Sequence, residues 1–349
     1  MNKFNIININ SGELNMSFKK GFIIMLKKSN EEYFMLDIAE GITLYDLNYD
    51  CKIMNKNKIA HEKYTFVDLW VDINEYDEIY GIVNNSDGEL IYIFIKGNKI
   101  YRTNLLKYDN RKIVIKYPYI NKINEDIHIL YYSNNIEYGR EQNLVHYFKK
   151  NGVWTEHVID KFKSWILTNF CVLFDNEIPT VFYFKMVKGT EEIFASTYNV
   201  DLNKWSESIQ LTNSRKNKVY LSAIKDNNGK YHLTYSENNM DRYYCMYLQV
   251  DINKGSVKVK KNNIIKRTIE CTFPQIFRSN WLVQVKWVSY NSLFTSYSKD
   301  HGTSWSEEER IDEAISKNFV RCNYSSNYKE DKDHNMLVTF VDENTLNRM

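Results

Sequence analysis

The tripeptide Trp305-Ser306-Glu307 decides the architecture, because it recurs as Trp205-Ser206-Glu207 and, with threonine at its centre, as Trp154-Thr155-Glu156. The later two copies lie 305 − 205 = 100 residues apart, and the earlier two lie 205 − 154 = 51 residues apart. The position midway between the copies at 205 and 305, near residue 255, holds Gly255-Ser256-Val257 directly after a polar, turn-like stretch. A period of about 50 residues indicates a repeated structural unit.

Short apolar runs recur in the same phase, each after a polar turn and each followed by further strand-like runs. Four short strands per unit, without helical periodicity, are typical of a blade of a β-propeller. The sequence therefore predicts an all-β fold with seven blades. The seven runs begin at Tyr33, Ile79, His128, Thr180, Tyr231, Trp281 and Met336.

The last repeat is incomplete, because residues 319–349 supply only two strands or a short third. We expect the strand-like segment Phe4–Ile9 to complete the last blade and close the ring, which would remove an exposed sheet edge. A six-bladed, sialidase-like propeller is the alternative. The whole chain, 1–349, is predicted to be one propeller domain. Its approximate blades are 20–62, 63–115, 116–163, 164–215, 216–267, 268–314, and 315–349 with 1–19.

Composition limits the classes of partner. The chain has 349 residues, 43% hydrophobic and 15% aromatic, with a formal net charge of +2, so it carries no general signal for a polyanion. Its five cysteines form no CxxC pair and indicate neither a zinc site nor a disulfide framework. No run of about 18 apolar residues occurs. We therefore expect no metal, no cofactor, no nucleic acid and no membrane association.

The N-terminal segment Met1–Ile6 has no apolar region followed by a small-residue cleavage site. We expect a cytoplasmic location, and release by lysis or association with a spore or phage particle stays open. The many Lys, Asn, Ile and Tyr residues are typical of an AT-rich bacterial genome and carry no functional information.

The segment Ser298-Lys299-Asp300-His301-Gly302-Thr303-Ser304-Trp305 resembles the Asp-box of the BNR repeat, S-x-D-x-G-x-T-W, which occurs in sialidases and many other propellers. The only departure is Ser304, where threonine is usual. Partial copies occur in phase at Asn151–Trp154 and Asp201–Trp205.

The resemblance implies a structural role for this segment. The carboxylate of Asp300 would accept backbone N–H groups across a tight turn, and Gly302 would supply a positive φ. Ser298 and Ser304 belong to the same turn, and Trp305 would pack between strands. In the family this turn joins the third and fourth strands, on the face opposite the active site.

The resemblance does not extend to sialidase chemistry. Sialidases have an Arg-Ile-Pro motif near the N-terminus, three arginines for the substrate carboxylate, a Tyr–Glu nucleophile pair and an Asp acid. No Arg-Ile-Pro occurs here, and the first arginine, Arg102, falls in an expected fourth strand. We therefore assign no catalytic residue.

A candidate ligand site follows from the loops that lead into the innermost strands, which form one rim of a propeller. Basic and aromatic residues recur in these loops and would suit an acidic sugar or a peptide carboxylate. Solvation of the charges and packing of the rings between blades are the competing explanation. The residues expected to contact a ligand are Arg215, Arg267, Arg321, Trp165 and Tyr220.

Three classes of function remain. A non-catalytic propeller that binds a glycan or a protein is the preferred hypothesis. A glycoside hydrolase or related carbohydrate enzyme is the first alternative, and a scaffold for protein assembly is the second. Binding to a glycan array without turnover favours the first class, and release of sugar from a fluorogenic substrate favours the enzyme.

Overall fold

The computed structural model describes residues 18–164, 166–240, 242–253, 256–266, 270–279, 281–312 and 319–342. Within these ranges the chain forms short β-strands and two short 3-10 turns, Ile136–Tyr138 and Lys329–Asp333. The strands form six sheets arranged around one axis. The prediction of an all-β propeller is confirmed. No helix in the described ranges is both long and apolar enough to cross a membrane.

The consecutive strands of each blade pair antiparallel, and the first of them, here called the inner strand, lies nearest the axis within that set. Blades 1 to 3 consist of β1 Phe18–Lys27, β2 Tyr33–Asp37, β3 Ile42–Leu47 and β4 Ile53–Ala60; β5 Leu69–Ile73, β6 Ile79–Asn84, β7 Glu89–Lys96 and β8 Lys99–Lys107; β9 Ile113–Ile123, β10 Asp126–Asn135, β11 Glu141–Lys150 and β12 Val153–Lys163. Blades 4 to 6 consist of β13 Cys171–Asp175, β14 Ile178–Val187, β15 Thr190–Asn199, β16 Lys204–Trp205 and β17 Ile209–Gln210; β18 Lys218–Lys225, β19 Lys230–Asn239, β20 Arg242–Asn253 and β21 Ser256–Lys266; β22 Thr272–Ser279, β23 Leu282–Ser289, β24 Ser292–Ser298 and β25 Glu309–Arg310.

The core is a series of apolar clusters between neighbouring blades. Ile24 and Ile79 belong to the cluster between blades 1 and 2, and Leu130 and Val181 belong to the one between blades 3 and 4. The second strands of blades 2 to 5 are therefore buried on both faces over most of their length, and β6 is buried throughout. The outer strand β4 is mostly exposed and carries polar residues on both faces. This gradient from axis to rim explains why apolar runs mark the second strand of every repeat.

The prediction of seven blades is wrong, because the last repeat forms no separate blade. It provides β26 Phe319–Ser326, β27 His334–Asn335 and β28 Val338–Asp342, here called the C-terminal unit. Strand β26 pairs in parallel with β1, and β28 pairs with the other edge of β26. Blade 1 is thus extended to six strands at its axial edge. Two strands have too little apolar surface to pack as a separate blade, but they can extend an existing sheet.

The predicted closing strand at the N-terminus is also wrong. The edge of β1 is occupied by β26, with Ile23 opposite Cys322, so the C-terminal unit closes the ring. Val320 and Cys322 pack against blade 1, whereas Phe319 packs against Val288 of blade 6. The segment Phe4–Ile9 lies outside the described residues.

The turn around Asp300 joins β24 and β25, the third and fourth strands of blade 6. The Oδ1 atom of Asp300 accepts hydrogen bonds from the backbone N–H groups of Thr303 at 2.9 Å and Ser304 at 2.8 Å. Its Oδ2 atom accepts a hydrogen bond from the Ser304 hydroxyl at 2.7 Å. These hydrogen bonds, from Ser304 above all, hold the pKa of Asp300 well below its usual range. The ring of Trp305 contacts Tyr247 of blade 5 at a centroid distance of 5.0 Å. The turn therefore stabilises one blade and its contact with the next.

Candidate ligand-binding cavity on the propeller axis

A cavity, here called the axial cavity, lies where the six inner strands meet, and its volume is about 140 Å³. An engineered apolar cavity of about 150 Å³ binds benzene, so a group the size of one six-membered ring fits. Every blade and the C-terminal unit contribute to its wall. The main contributors are Phe22, Phe66, Trp70, Tyr117, Tyr119, Thr168, Asn169, Phe170, Tyr220, Phe273, Gln275, Arg321 and Asn323.

Three aromatic residues of the wall have a left-handed backbone. The φ angles are 54° at Tyr117, 59° at Tyr220 and 52° at Phe273. Each lies where the pairing of the first and second strands of its blade shifts register. A bulge of this kind redirects a side chain, and such backbone strain costs about 1–3 kcal/mol per residue and is concentrated at functional sites. The same local distortion brings one aromatic side chain each from blades 3, 5 and 6 to the cavity.

The aromatic side chains of the wall contact one another in two groups. In the first group, Phe66 lies 5.6 Å from Phe22 and 6.2 Å from Tyr117, measured between ring centroids. In the second, Tyr220 and Phe273 are 4.4 Å apart and inclined by 46°. The wall therefore offers aromatic surface on more than one side of the cavity.

The guanidinium group of Arg321 lies between these two groups. Its Cζ is 4.7 Å from the ring centroid of Phe66, 4.4 Å from that of Phe273 and 5.6 Å from that of Phe22. These are cation–π distances. Desolvation by burial lowers the pKa of Arg321 to about 10, so the group is still charged at neutral pH. The charge is therefore held in an aromatic cage at the axis.

No acid balances this charge within the described part of the chain. Arg321 is the only side chain charged at neutral pH among the described residues of the wall, and it forms no hydrogen bond or ion pair with any described residue. A guanidinium has five N–H donors, and burying a charge without a partner is costly. The described part of the wall therefore presents a half-buried cation, without an acidic partner, to whatever enters the cavity.

Two further polar atoms of the wall have no hydrogen-bond partner among the described residues: Nε1 of Trp70 and Oγ1 of Thr168. The amide of Asn169, by contrast, donates to the carbonyl of Leu221 at 2.6 Å. Buried polar groups are normally paired, so unpaired ones call for an explanation.

The titratable groups of the wall other than Arg321 are neutral. Burial raises the pKa of Tyr117 to about 12 and that of the Cys171 thiol to about 12, and burial also raises the pKa of Tyr220. A general base needs a pKa close to the operating pH, and glycoside hydrolysis commonly uses two carboxylates. The described wall contains no carboxylate.

The structure brings together two of the five residues predicted to contact a ligand. Arg321 and Tyr220 both line the axial cavity. Arg215 is exposed on the loop before β18 and does not line it; its backbone N–H donates to Glu192 at 2.8 Å. Trp165 and Arg267 lie outside the described residues.

The sequence-based assignment missed several residues of the wall, above all Phe22, Phe66 and Trp70. Tyr117 and Phe273 carried a signal that could have identified them. Each directly precedes a proline, in Tyr117-Pro118 and Phe273-Pro274, near the start of an inner strand. An aromatic residue before proline at equivalent positions of two repeats marks the bulge.

Metal binding has no support within the described residues, because no three His, Cys, Asp or Glu side chains are grouped to hold an ion.

Comparison with known proteins identifies the fold. No family model matches the chain, and no curated protein matches it significantly. Among solved structures, the polysaccharide lyase Uly1 is 10% identical with a TM-score of 0.52, covering 85% of this chain and 82% of that one. The α-L-arabinanase of Penicillium chrysogenum, complexed with arabinobiose, is 11% identical with a TM-score of 0.50, covering 79% and 93%. An oligogalacturonate lyase in complex with manganese is 8% identical with a TM-score of 0.50, covering 83% and 78%. At these identities the comparisons show a β-propeller fold, and the BNR and sialidase-like resemblance stays a prediction from the sequence.

Proposed function

We propose that this protein is a non-catalytic binding propeller that takes one saccharide unit into the axial cavity. The observation that carries the proposal is the composition of the wall. Aromatic side chains stand on more than one side, and two other residues of the same wall, Trp70 and Thr168, have polar atoms without a partner among the described residues. Small-molecule sites combine apolar walls with a few polar groups in this manner.

A sugar ring suits such a wall because it has both apolar faces and hydroxyl edges. The apolar faces would stack on Tyr220 and Phe273, while the hydroxyl groups would pair with Nε1 of Trp70 and Oγ1 of Thr168. Carbohydrates also occur in the names of the three structural neighbours, two lyases and an arabinanase, which supports this ligand class for a propeller of similar build.

A carbohydrate-active enzyme is the second candidate. The similar folds of the arabinanase and the lyases favour it. The described wall of the axial cavity argues against it, because it has no carboxylate pair and its tyrosines have raised pKa values. Binding without turnover is therefore preferred.

The test uses a glycan array, followed by calorimetric titration of the best saccharide. Thr168→Val removes an unpaired hydroxyl and keeps the shape of the side chain, so the fold should be unaffected. We expect it to weaken binding roughly three- to tenfold, the value of one hydrogen bond. Thr103→Val on the exposed outer strand β8 is the matched control and should leave the affinity unchanged.

Turnover is measured in the same preparation as release of reducing or unsaturated sugar. We expect none. Sugar release by the wild type would replace the binding hypothesis with the enzyme, and an array without any bound saccharide would refute the proposed function.

A further inference from the structure

We propose that the saccharide unit bound in the axial cavity carries a carboxylate, as a uronic acid does, and that the guanidinium of Arg321 binds it. The inference rests on the proposed function for the saccharide part. The carboxylate part of the inference does not depend on that function, because it follows from the surroundings of the Arg321 guanidinium.

The guanidinium of Arg321 lies in a cage of aromatic rings. Phe22, Phe66 and Phe273 surround the guanidinium, and aromatic rings attract a cation without supplying strong hydrogen-bond acceptors. The N–H donors of Arg321 are thus left without partners among the described residues. Desolvated donors of a charged group gain most from an anionic acceptor.

The charges of the described cavity wall are not balanced. The described wall has one cation and no anion, so it is suited to a ligand with a single negative charge. A carboxylate is planar and matches the fork of a guanidinium with two parallel hydrogen bonds. The remaining wall is aromatic and neutral, as the rest of a sugar ring requires.

Strand pairing fixes the position of Arg321 in the fold. It lies on β26, where Phe22 of β1 is its partner in the parallel register. Val320 and Cys322, its neighbours along the strand, are buried against blade 1. Arg321 therefore belongs to a strand held on both edges, and its charge is placed before a ligand arrives, which favours affinity.

The positive charge of the described cavity wall comes from one part of the chain. The residues that the six blades contribute to the described wall include no Lys, Arg or His. The cation comes from the C-terminal unit alone. Selectivity for an acidic sugar is thus a property of the C-terminal unit, whereas the aromatic surface is supplied mainly by the blades.

The experiment compares matched acidic and neutral sugars by ligand-observed NMR and calorimetry. The probes are glucuronic acid with glucose, and galacturonic acid with galactose. We expect at least one acid to bind roughly tenfold more tightly than its neutral partner. Arg321→Gln should abolish this preference, because it removes the charge that pairs with the carboxylate. Arg321→Lys, which keeps the charge and loses the planar fork, should keep part of the preference.

Arg215→Gln is the matched control, because Arg215 is exposed and does not line the cavity. It should leave all affinities unchanged. Thermal unfolding of each variant checks that the fold is intact.

The outcomes separate the two proposals. Equal affinity for acid and neutral sugar in the wild type would overturn the carboxylate inference and leave the saccharide function standing. Binding of a short peptide that depends on its free C-terminal carboxylate, with no sugar bound, would overturn the saccharide function. The full preference retained in Arg321→Gln would remove Arg321 from the site.

Discussion

The indole N–H of Trp205 donates a hydrogen bond of 3.1 Å to Nδ1 of His146, across the interface between blades 3 and 4. Because Nδ1 accepts, the proton of the neutral imidazole is on Nε2, which lies 3.1 Å from Nδ1 of His128. The proton of His128 is then on its own Nε2. Burial lowers the pKa of His128 to about 4 and that of His146 well below its usual value. The three residues form a neutral chain that protonation would break.

This chain makes stability depend on pH. A histidine in the unfolded chain has a pKa of about 6.5, so unfolding takes up protons below that pH, whereas the folded state stays neutral down to about pH 4. The stabilisation is therefore complete above pH 6.5 and is lost as the pH falls towards 4. We expect the pair to account for a loss of about 1–3 kcal/mol across this window.

Urea unfolding at pH 7.5 and pH 4.5 measures the loss. His128→Phe should show a smaller difference between the two pH values than the wild type, because its ring cannot be protonated. His61→Gln, at an exposed position, serves as the control and should behave as the wild type does. Equal differences in all three proteins would contradict this role for the buried histidines.

Lys218 should be a strong determinant of stability. Its fully buried Nζ lies 2.8 Å from Glu192 and 3.4 Å from Glu237. Lys218→Met would leave both buried carboxylates without their cation, and removing one partner of a buried ion pair costs about 3–5 kcal/mol. Chemical denaturation should show this loss. Lys216→Met, two residues earlier and exposed, should change the midpoint little, and an unchanged midpoint for Lys218→Met would disprove the assignment.

Gly302 and Gly152 allow backbone strain to be separated from steric overlap. Both have a φ of +80°, but a Cβ at Gly302 would lie 1.9 Å from the Tyr247 hydroxyl oxygen, whereas a Cβ at Gly152 would meet no atom within 4 Å. We expect Gly302→Ala to destabilise more than Gly152→Ala by about 1–3 kcal/mol, the usual cost of overpacking. Thermal unfolding of both variants gives the difference, and equal losses would show that Tyr247 moves aside freely.

Phe319 tests whether the C-terminal unit unfolds together with the blades. Its ring is buried with Val288 and Leu293 of blade 6 and lies 5.9 Å from Phe340. We expect Phe319→Ala to lower the free energy of unfolding by about 3–5 kcal/mol in one cooperative transition. Tyr290→Ala, at an exposed turn of the same blade, is the control. A separate early transition, with the main one unchanged, would mean that the unit is not part of the closed ring.

The repeat could be predicted because it is encoded locally. Polar turns, apolar second strands and the Asp300 turn each depend on residues close together in the chain, so a period of about 50 residues is visible in the sequence. The blade number depends on where the last repeat pairs. The run Phe319–Ser326 looks like the inner strand of a blade, and only its contacts with blades 1 and 6 show that it extends an existing sheet.

The candidate site was predictable only in part for a related reason. Arg321 and Tyr220 could be proposed from the recurrence of basic and aromatic residues, but the same pattern also included Arg215, which is exposed. Whether a side chain reaches the axis depends on bulges such as those at Tyr117 and Phe273, and a bulge is a property of two paired strands. The unpaired atoms of Trp70 and Thr168 have no sequence signal at all.

The parallel pairing of β26 with β1 also determines the order in which the molecule can be made. Cys322 meets Ile23 after 322 − 23 = 299 further residues have been synthesised, which takes roughly 15–60 s at about 5–20 residues per second. Until then the ring of the nascent chain is open, because β1 has not yet paired with β26. Contacts between positions so far apart form late and slowly in folding. The guanidinium of Arg321 therefore reaches the axis only after all six blades have been synthesised.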